Sequence, residues 1–171
     1  MVMAQNIVFD ILFPEVQAPA RATAHSAGYD LRACLRDRQV RCIVTTSGAS
    51  REELRDCPDG ILTIAPHDRV LVPLGFKARL PEGIEAQIRV RSSVAFRKGL
   101  TIPNAPGTID ADYPDEWMVM LRNDSGGDVT IEHGERIAQV IFARFEALAW
   151  LPGAVGVSTD REGGVGSTGK F

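Results

Sequence analysis

The stretch RIAQVIFARFEAL, residues 136–148, decides the fold class. It is long enough to be a helix or one long strand. Ile137, Val140 and Ile141 are β-branched, and such side chains lose rotamer freedom in a helix but pack well on a pleated surface. Gly134 stands just before the stretch as a turn residue. The stretch is therefore read as a strand. The same signature recurs on both sides of it. IVFDILF (7–13), RVLVPLGFKARL (69–80), AQIRV (86–90), WMVMLRN (117–123) and DVTIE (128–132) are short, apolar or alternating, and bounded by Gly, Pro, Asn or Asp. In AQIRV, Ala86, Ile88 and Val90 alternate with Gln87 and Arg89, the period of two expected of a half-buried strand. Many short strands separated by turn residues read as an all-β sandwich or barrel.

Two segments stand apart from this pattern. Residues 36–60 are polar, with Cys42 and Cys57 near the edges, and read as an excursion from the β core. Ser50 followed by Glu53 resembles a capping box, which predicts a short helix there. After residue 150 the chain turns Gly-rich and polar. The reading is a β domain over 1–150 and a mobile C-terminal arm over 151–171.

A length of 171 residues corresponds to one domain with a sizeable core, and 44% hydrophobic against 24% charged residues is a globular composition. The net charge of −3 argues against wholesale binding to a nucleic-acid backbone, which needs a basic face. The opening MVMAQNIVFDILFPE lacks a basic n-region, and no apolar run approaches the ~20 residues of a spanning helix. Neither a secretory signal nor a membrane partner is expected. Cys34, Cys42 and Cys57 form no C-x-x-C pair and read as reduced thiols of a cytoplasmic protein.

Three stretches hold groups suited to chemistry. RVRSSVAFRKG, 89–99, gathers Arg89, Arg91, Arg97 and Lys98 around Ser92 and Ser93. Arg forks grip phosphate oxygens in pairs, and Ser hydroxyls donate to the same oxygens; the plain alternative is a solvated basic turn. IPNAPGTIDADYPDEW, 102–117, is framed by Pro and Gly as a tight turn or hairpin. Its Asp110 and Asp112 suit orientation of a water, and Tyr113 suits packing on a sugar or base; Asp in turns also occurs for backbone reasons alone. The tail GGVGSTGKF, 163–171, matches G-x-G-x-x-G and G-x-x-x-x-G-K as text, but no helix follows in this sequence. What remains is a set of unhindered N–H groups, hydroxyls and cations that suits an anion.

Taken in order, these stretches resemble the trimeric deoxyuridine triphosphatases. SAGYDLRA (26–33), RSSVAFRKG (91–99), NAPGTIDADY (104–113), ERIAQVIF (135–142) and REGGVGSTG (161–169) look like the family's five motifs, the last shortened. The resemblance implies a distorted jelly-roll barrel of β-clip type. It also implies a homotrimer whose active sites draw motifs from more than one subunit. The implied reaction is hydrolysis of dUTP to dUMP and pyrophosphate, by in-line attack of water on the α-phosphorus with Mg²⁺ present. By resemblance, Asp110 positions the water. Asn104, Gly107, Thr108 and Ile109 read the uracil, with Met118 as a further contact, and Tyr113 packs under the deoxyribose. Arg91, Ser92, Ser93 and Gln139 hold phosphates, and Arg161, Ser167 and Thr168 close over them. Asp30 is expected to bind waters around a Mg²⁺ carried by the triphosphate.

The sequence departs from the family pattern in places. Val165 stands where the fifth motif usually has a stacking Phe, and Asp115 stands where the third has Gly before its Glu. The 36–60 segment is longer than the usual link and reads as an inert insertion, a lid or a contact between trimers. Two rival readings remain. A dCTP deaminase, alone or bifunctional, shares the fold but needs a catalytic Glu on the strand after the hairpin. A non-catalytic nucleotide-binding trimer is the other.

Overall fold

The computed structural model describes residues 6–156. Strands β1 (Val8–Ile11), β2 (Ala20–Arg21) and β3 (Tyr29–Arg32) lead into β4 (Arg38–Thr46) and β5 (Ala49–Cys57). Then follow β6 (Ile61–Ile64), β7 (Arg69–Pro73), β8 (Phe76–Arg79) and β9 (Ile84–Val90). Helix α1 (Ser92–Lys98) precedes β10 (Leu100–Thr101), β11 (Gly107–Ile109), β12 (Met118–Asn123), β13 (Val129–Glu132) and β14 (Arg136–Arg144). The all-β reading holds.

Two five-stranded antiparallel sheets dominate, ordered β10-β12-β7-β4-β5 and β11-β9-β14-β3-β2, with the two-stranded pairs β1-β8 and β13-β6 beside them. The stretch that decides the fold class forms β14, at the centre of the second sheet between β9 and β3. Its Ile137, Ala138 and Val140 are buried, which explains why the run is more apolar than a simple alternation. The run 69–80 is two strands rather than one. Gly75, at φ +76°, breaks it, and a Cβ there would collide with Val16 and Cys34.

The core lies between the sheets. Leu31, Leu62, Ile64, Val72, Leu121, Ile131 and Ile137 have no accessible surface, and each such side chain contributes roughly 1.5–3 kcal/mol relative to exposure. Trp117 is buried against Phe76, with ring centroids 5.3 Å apart.

Two expectations are corrected. No helix forms at Ser50 or Glu53; both lie in β5. Residues 36–60 are not an excursion but a long hairpin whose first strand joins the sheet beside β7, with Cys42 opposite Val70. Its inner face is apolar where it meets the core, since Val40, Cys42 and Cys57 are buried, and polar along its outer edge. Its turn is two residues long, with Ser47 at φ 51° and Gly48 at φ 83°, the backbone that matches the twist of a hairpin. Helix α1 is an addition that the basic 89–99 stretch did not announce. Gly99 ends it in the left-handed region, and Val94 is its buried contact.

Candidate active site

Asn104, Gly107, Thr108, Ile109 and Asp110 line one cavity of about 270 Å³, together with Tyr113 and Met118. The structure thus brings together all seven residues expected around a nucleoside. Their placement follows from local sequence. Gly107, Thr108 and Ile109 pair with Ile88, Gln87 and Ala86 of β9. β11 is the end strand of its sheet, so its outer backbone groups face no neighbouring strand and can read a flat polar ring. Before it, the Pro-rich turn closes with Ala105 N–H donating to Ile102 O at 3.0 Å, beside a cis peptide between Ala105 and Pro106. After it, Tyr113 N–H donates to Asp110 O at 3.2 Å, so the turn presents the Asp110 carboxylate to solvent and leaves the Tyr113 ring half-buried. β12 returns with Met118 on the cavity wall. Leu71, Ile102, Val119 and Met120 form an apolar floor. A slot with an apolar floor, an aromatic wall, one amide and an exposed carboxylate suits a flat polar base on a sugar.

The expected phosphate residues gather elsewhere. Gln139 on β14 stands opposite Asp30 of β3 on one side and Arg89 of β9 on the other. Arg91 Nε lies 3.2 Å from Asp30 Oδ1, and Arg136 Nη1 lies 3.0 Å from Asp30 Oδ2. Arg91 Nη1 also donates to Arg136 O at 3.2 Å. Two guanidinium groups around one carboxylate leave the spot positive. Ser92 and Ser93 open α1 beside it and are exposed. Gly28 packs against the Gln139 side chain, and a Cβ there would collide with its amide. None of Asp30, Arg91, Ser92, Ser93 or Gln139 lines the cavity of Asn104 to Asp110. Arg161, Ser167, Thr168 and Val165 lie outside the described residues.

Among the described residues, no group of three or more His, Cys, Asp or Glu could hold a metal ion. Asp30 is the carboxylate among the expected phosphate residues and is already paired with two arginines. That donor set fits an outer contact to a hydrated ion brought by a triphosphate, not a resident cage. The thiols of Cys34, Cys42 and Cys57 are buried and free, and burial pushes all three pKa values up, so none is a ready nucleophile. No helix among the described residues is long and apolar enough to cross a membrane.

Sequence reasoning missed Arg136 and the cavity floor. Arg136 opens the very run that decides the fold, but its pairing with Asp30 is made between strands. Leu71 and Met120 carried a legible signal. Each is apolar at the outward phase of a strand whose other phase, Val70, Val72, Val119 and Leu121, fills the core.

The dUTPase family model matches residues 53–169. The deoxyuridine 5′-triphosphate nucleotidohydrolase of Hydrogenobaculum sp. (strain Y04AAS1) is 46% identical over 136 residues, 79% of this chain and 94% of that protein. Its counterpart in Roseobacter denitrificans is 44% identical over 126 residues, 72% of this chain and 83% of that protein. Among solved structures, the dUTPase of Streptococcus mutans aligns with a TM-score of 0.61 at 26% identity, over 83% of this chain and 98% of that one. A point mutant of the Staphylococcus bacteriophage 80alpha dUTPase, solved with dUpNHpp, aligns with a TM-score of 0.72 over 97% of this chain and 99% of that one; at 20% identity it speaks for the fold alone. With a family model over most of its length and relatives this similar, the chain belongs to the dUTPase family.

Proposed function

We propose that this protein hydrolyses dUTP to dUMP and pyrophosphate. The observation that carries the reading is the single cavity that gathers Asn104, Gly107, Thr108, Ile109, Tyr113 and Met118 behind the exposed Asp110 carboxylate. Asp110 orients a water and takes its proton as the water oxygen bonds to the α-phosphorus. The bond from that phosphorus to the oxygen bridging the α- and β-phosphates breaks, and pyrophosphate leaves with that oxygen. Asn104 and the free backbone edge of β11 hold the uracil, and Tyr113 supports the deoxyribose. Arg91, Ser92, Ser93 and Gln139 bind the phosphates, with Arg161, Ser167 and Thr168 closing over them. Asp30 would hold the waters of a Mg²⁺ carried by the triphosphate, an ion that would neutralise phosphate charge. In the cell this reaction supplies dUMP for dTMP synthesis and keeps uracil out of DNA. We place it in the cytoplasm, where three unbridged thiols persist.

The active unit is a homotrimer with shared sites, built on jelly-roll barrels. Two observations support it. The phosphate residues of one chain do not reach that chain's nucleoside cavity, as expected if a neighbour supplies them. Phe96, Leu148, Trp150 and Leu151 are 79–98% exposed, an apolar surface that a second copy would cover. The deaminase reading is disfavoured. Glu116, the carboxylate at the start of β12, is held by Arg38 and Gly75 and does not line the cavity.

The test is a nucleotide panel. The protein is incubated with Mg²⁺ and dUTP, dCTP, dTTP or UTP, and the products are resolved by chromatography. Release of dUMP and pyrophosphate from dUTP alone supports the reading. Cleavage of several nucleotides would show loosened base selection, and conversion of dCTP or no turnover at all would overturn it.

A further inference from the structure

Six residues after Asp110, the loop that carries Asp110 and Tyr113 ends on an unusually well-held carboxylate. Glu116 Oε2 accepts from Arg38 Nη2 at 2.8 Å, and Glu116 Oε1 accepts from Arg38 Nη1 at 3.2 Å. The same Oε1 accepts from Gly75 N–H at 2.7 Å. Both side chains are mostly buried, at 19% and 17% exposed. Arg38 is tied further. Its guanidinium sits 4.5 Å from the centroid of the Phe13 ring, and Nη1 reaches Cys34 Sγ at 3.7 Å. Gly75 itself permits the approach, because any side chain there would strike Val16 and Cys34.

This geometry has a consequence for the loop. Within residues 110–116, Asp110, Asp112, Pro114 and Asp115 are exposed, and Ala111 and Tyr113 pack only partly buried against the core. The turn bond between Tyr113 and Asp110 is internal to the loop and cannot fix it to the barrel. On the far side of Glu116, Trp117 is seated in the core, with its N–H on Phe76 O at 3.0 Å and its O accepting from Leu74 N–H at 3.1 Å. A bidentate Arg–carboxylate pair holds direction as well as distance. Glu116 is therefore the point at which the loop's exit angle is set. Arg38 is also the first residue of β4, at the base of the long hairpin.

We infer that Arg38 and Glu116 are a positioning pair that sets the 110–116 loop, and so places Asp110 and Tyr113 against the nucleotide. The inference rests on the dUTP reading above. It gives the hairpin base a role in the site although no hairpin residue lines the nucleoside cavity.

The experiment compares wild type with Arg38→Met, Arg38→Lys and Glu116→Gln. It measures steady-state dUTP hydrolysis, and calorimetric binding of dUMP and of pyrophosphate with Mg²⁺. Loss of the pair should lower kcat by roughly 10- to 100-fold, because a misplacement of about 1 Å costs that much. Binding of dUMP should weaken, while pyrophosphate, held by residues on the other sheet, should bind as in wild type. Arg38→Lys should recover part of the turnover, since one ammonium replaces the fork with a single contact. Unchanged kcat and dUMP binding would overturn the inference, and so would equal weakening of dUMP and pyrophosphate, which marks general loosening. If Arg38→Met does not fold, Glu116→Gln decides, because its amide oxygen still accepts from Gly75. If wild type leaves dUTP intact, the proposed function fails, and the dUMP and pyrophosphate titrations still judge the pair.

Discussion

At the scale of single residues, the cavity assigns very different work to chemically similar groups. Asp110 and Glu116 lie in one loop. The first is exposed at the cavity, and the second is locked by a guanidinium and a backbone N–H. Asp110→Asn keeps the size and removes the proton acceptor. It should lower kcat by about 10²–10⁴ while leaving dUTP affinity nearly intact. Single-turnover kinetics beside calorimetry check this, and an equally active variant would refute Asp110 as the base. The three thiols make a prediction of a different kind. Burial raises their folded pKa values above the ordinary 9.0, so the folded protein keeps them protonated where the unfolded chain would ionise. Their contribution to stability is complete below about pH 9 and is lost as pH rises toward the folded values. Urea midpoints should therefore fall between pH 8 and pH 10, and less so in a variant with Cys42→Ala.

At the scale of elements, the hairpin of β4 and β5 is the main departure from expectation. Its sequence is polar because β5 is an end strand: Arg51, Glu52, Leu54 and Asp56 are exposed there. Outer ion pairs such as Arg41 with Glu52, both about half exposed, add little. What holds the hairpin is burial of Val40, Cys42 and Cys57 and the ladder to β7. Its turn tests this. A Cβ on Gly48 meets no atom, so Gly48→Ala is strained only by its φ of +83°. The expected cost is about 1 kcal/mol, a fall in Tm of roughly 2–4 °C, with dUTP turnover unchanged. Differential scanning fluorimetry and the hydrolysis assay measure both.

At the scale of the whole molecule, the chain holds the expected nucleoside and phosphate residues in two separate places. The cavity lined by Asn104 to Tyr113 draws on β11 and β12, and the Asp30–Arg91–Arg136 cluster joins residues of or next to β3, β9 and β14. Assembly is the proposed means of joining them, with the 151–171 segment completing each site. Removing 161–171 should cut dUTP turnover sharply and leave the oligomer intact, as judged by light scattering after size exclusion. Full activity without those residues would remove Arg161, Ser167 and Thr168 from the mechanism.

Much of this was legible in the sequence, for identifiable reasons. Strands with a local period of two, such as AQIRV, declare themselves because burial alternates along the chain. The loop residues Asn104 to Tyr113 declare themselves because Pro, Gly and Asp in that order force a tight turn that presents a carboxylate. The hairpin did not, because an end strand buries only one edge of a face and reads as polar surface. The pairings of Arg38 with Glu116 and of Arg136 with Asp30 did not either, because 78 and 106 residues separate the partners. By itself, the sequence determined the all-β class, the family and the set of residues that line one cavity, since these depend on local patterning and turn chemistry. Only the tertiary structure decided where β4 and β5 pair, that Glu116 is held while Asp110 is exposed, and that Asp30, Arg91 and Gln139 lie apart from the cavity of Asn104 to Tyr113, because each depends on contacts between strands distant in sequence.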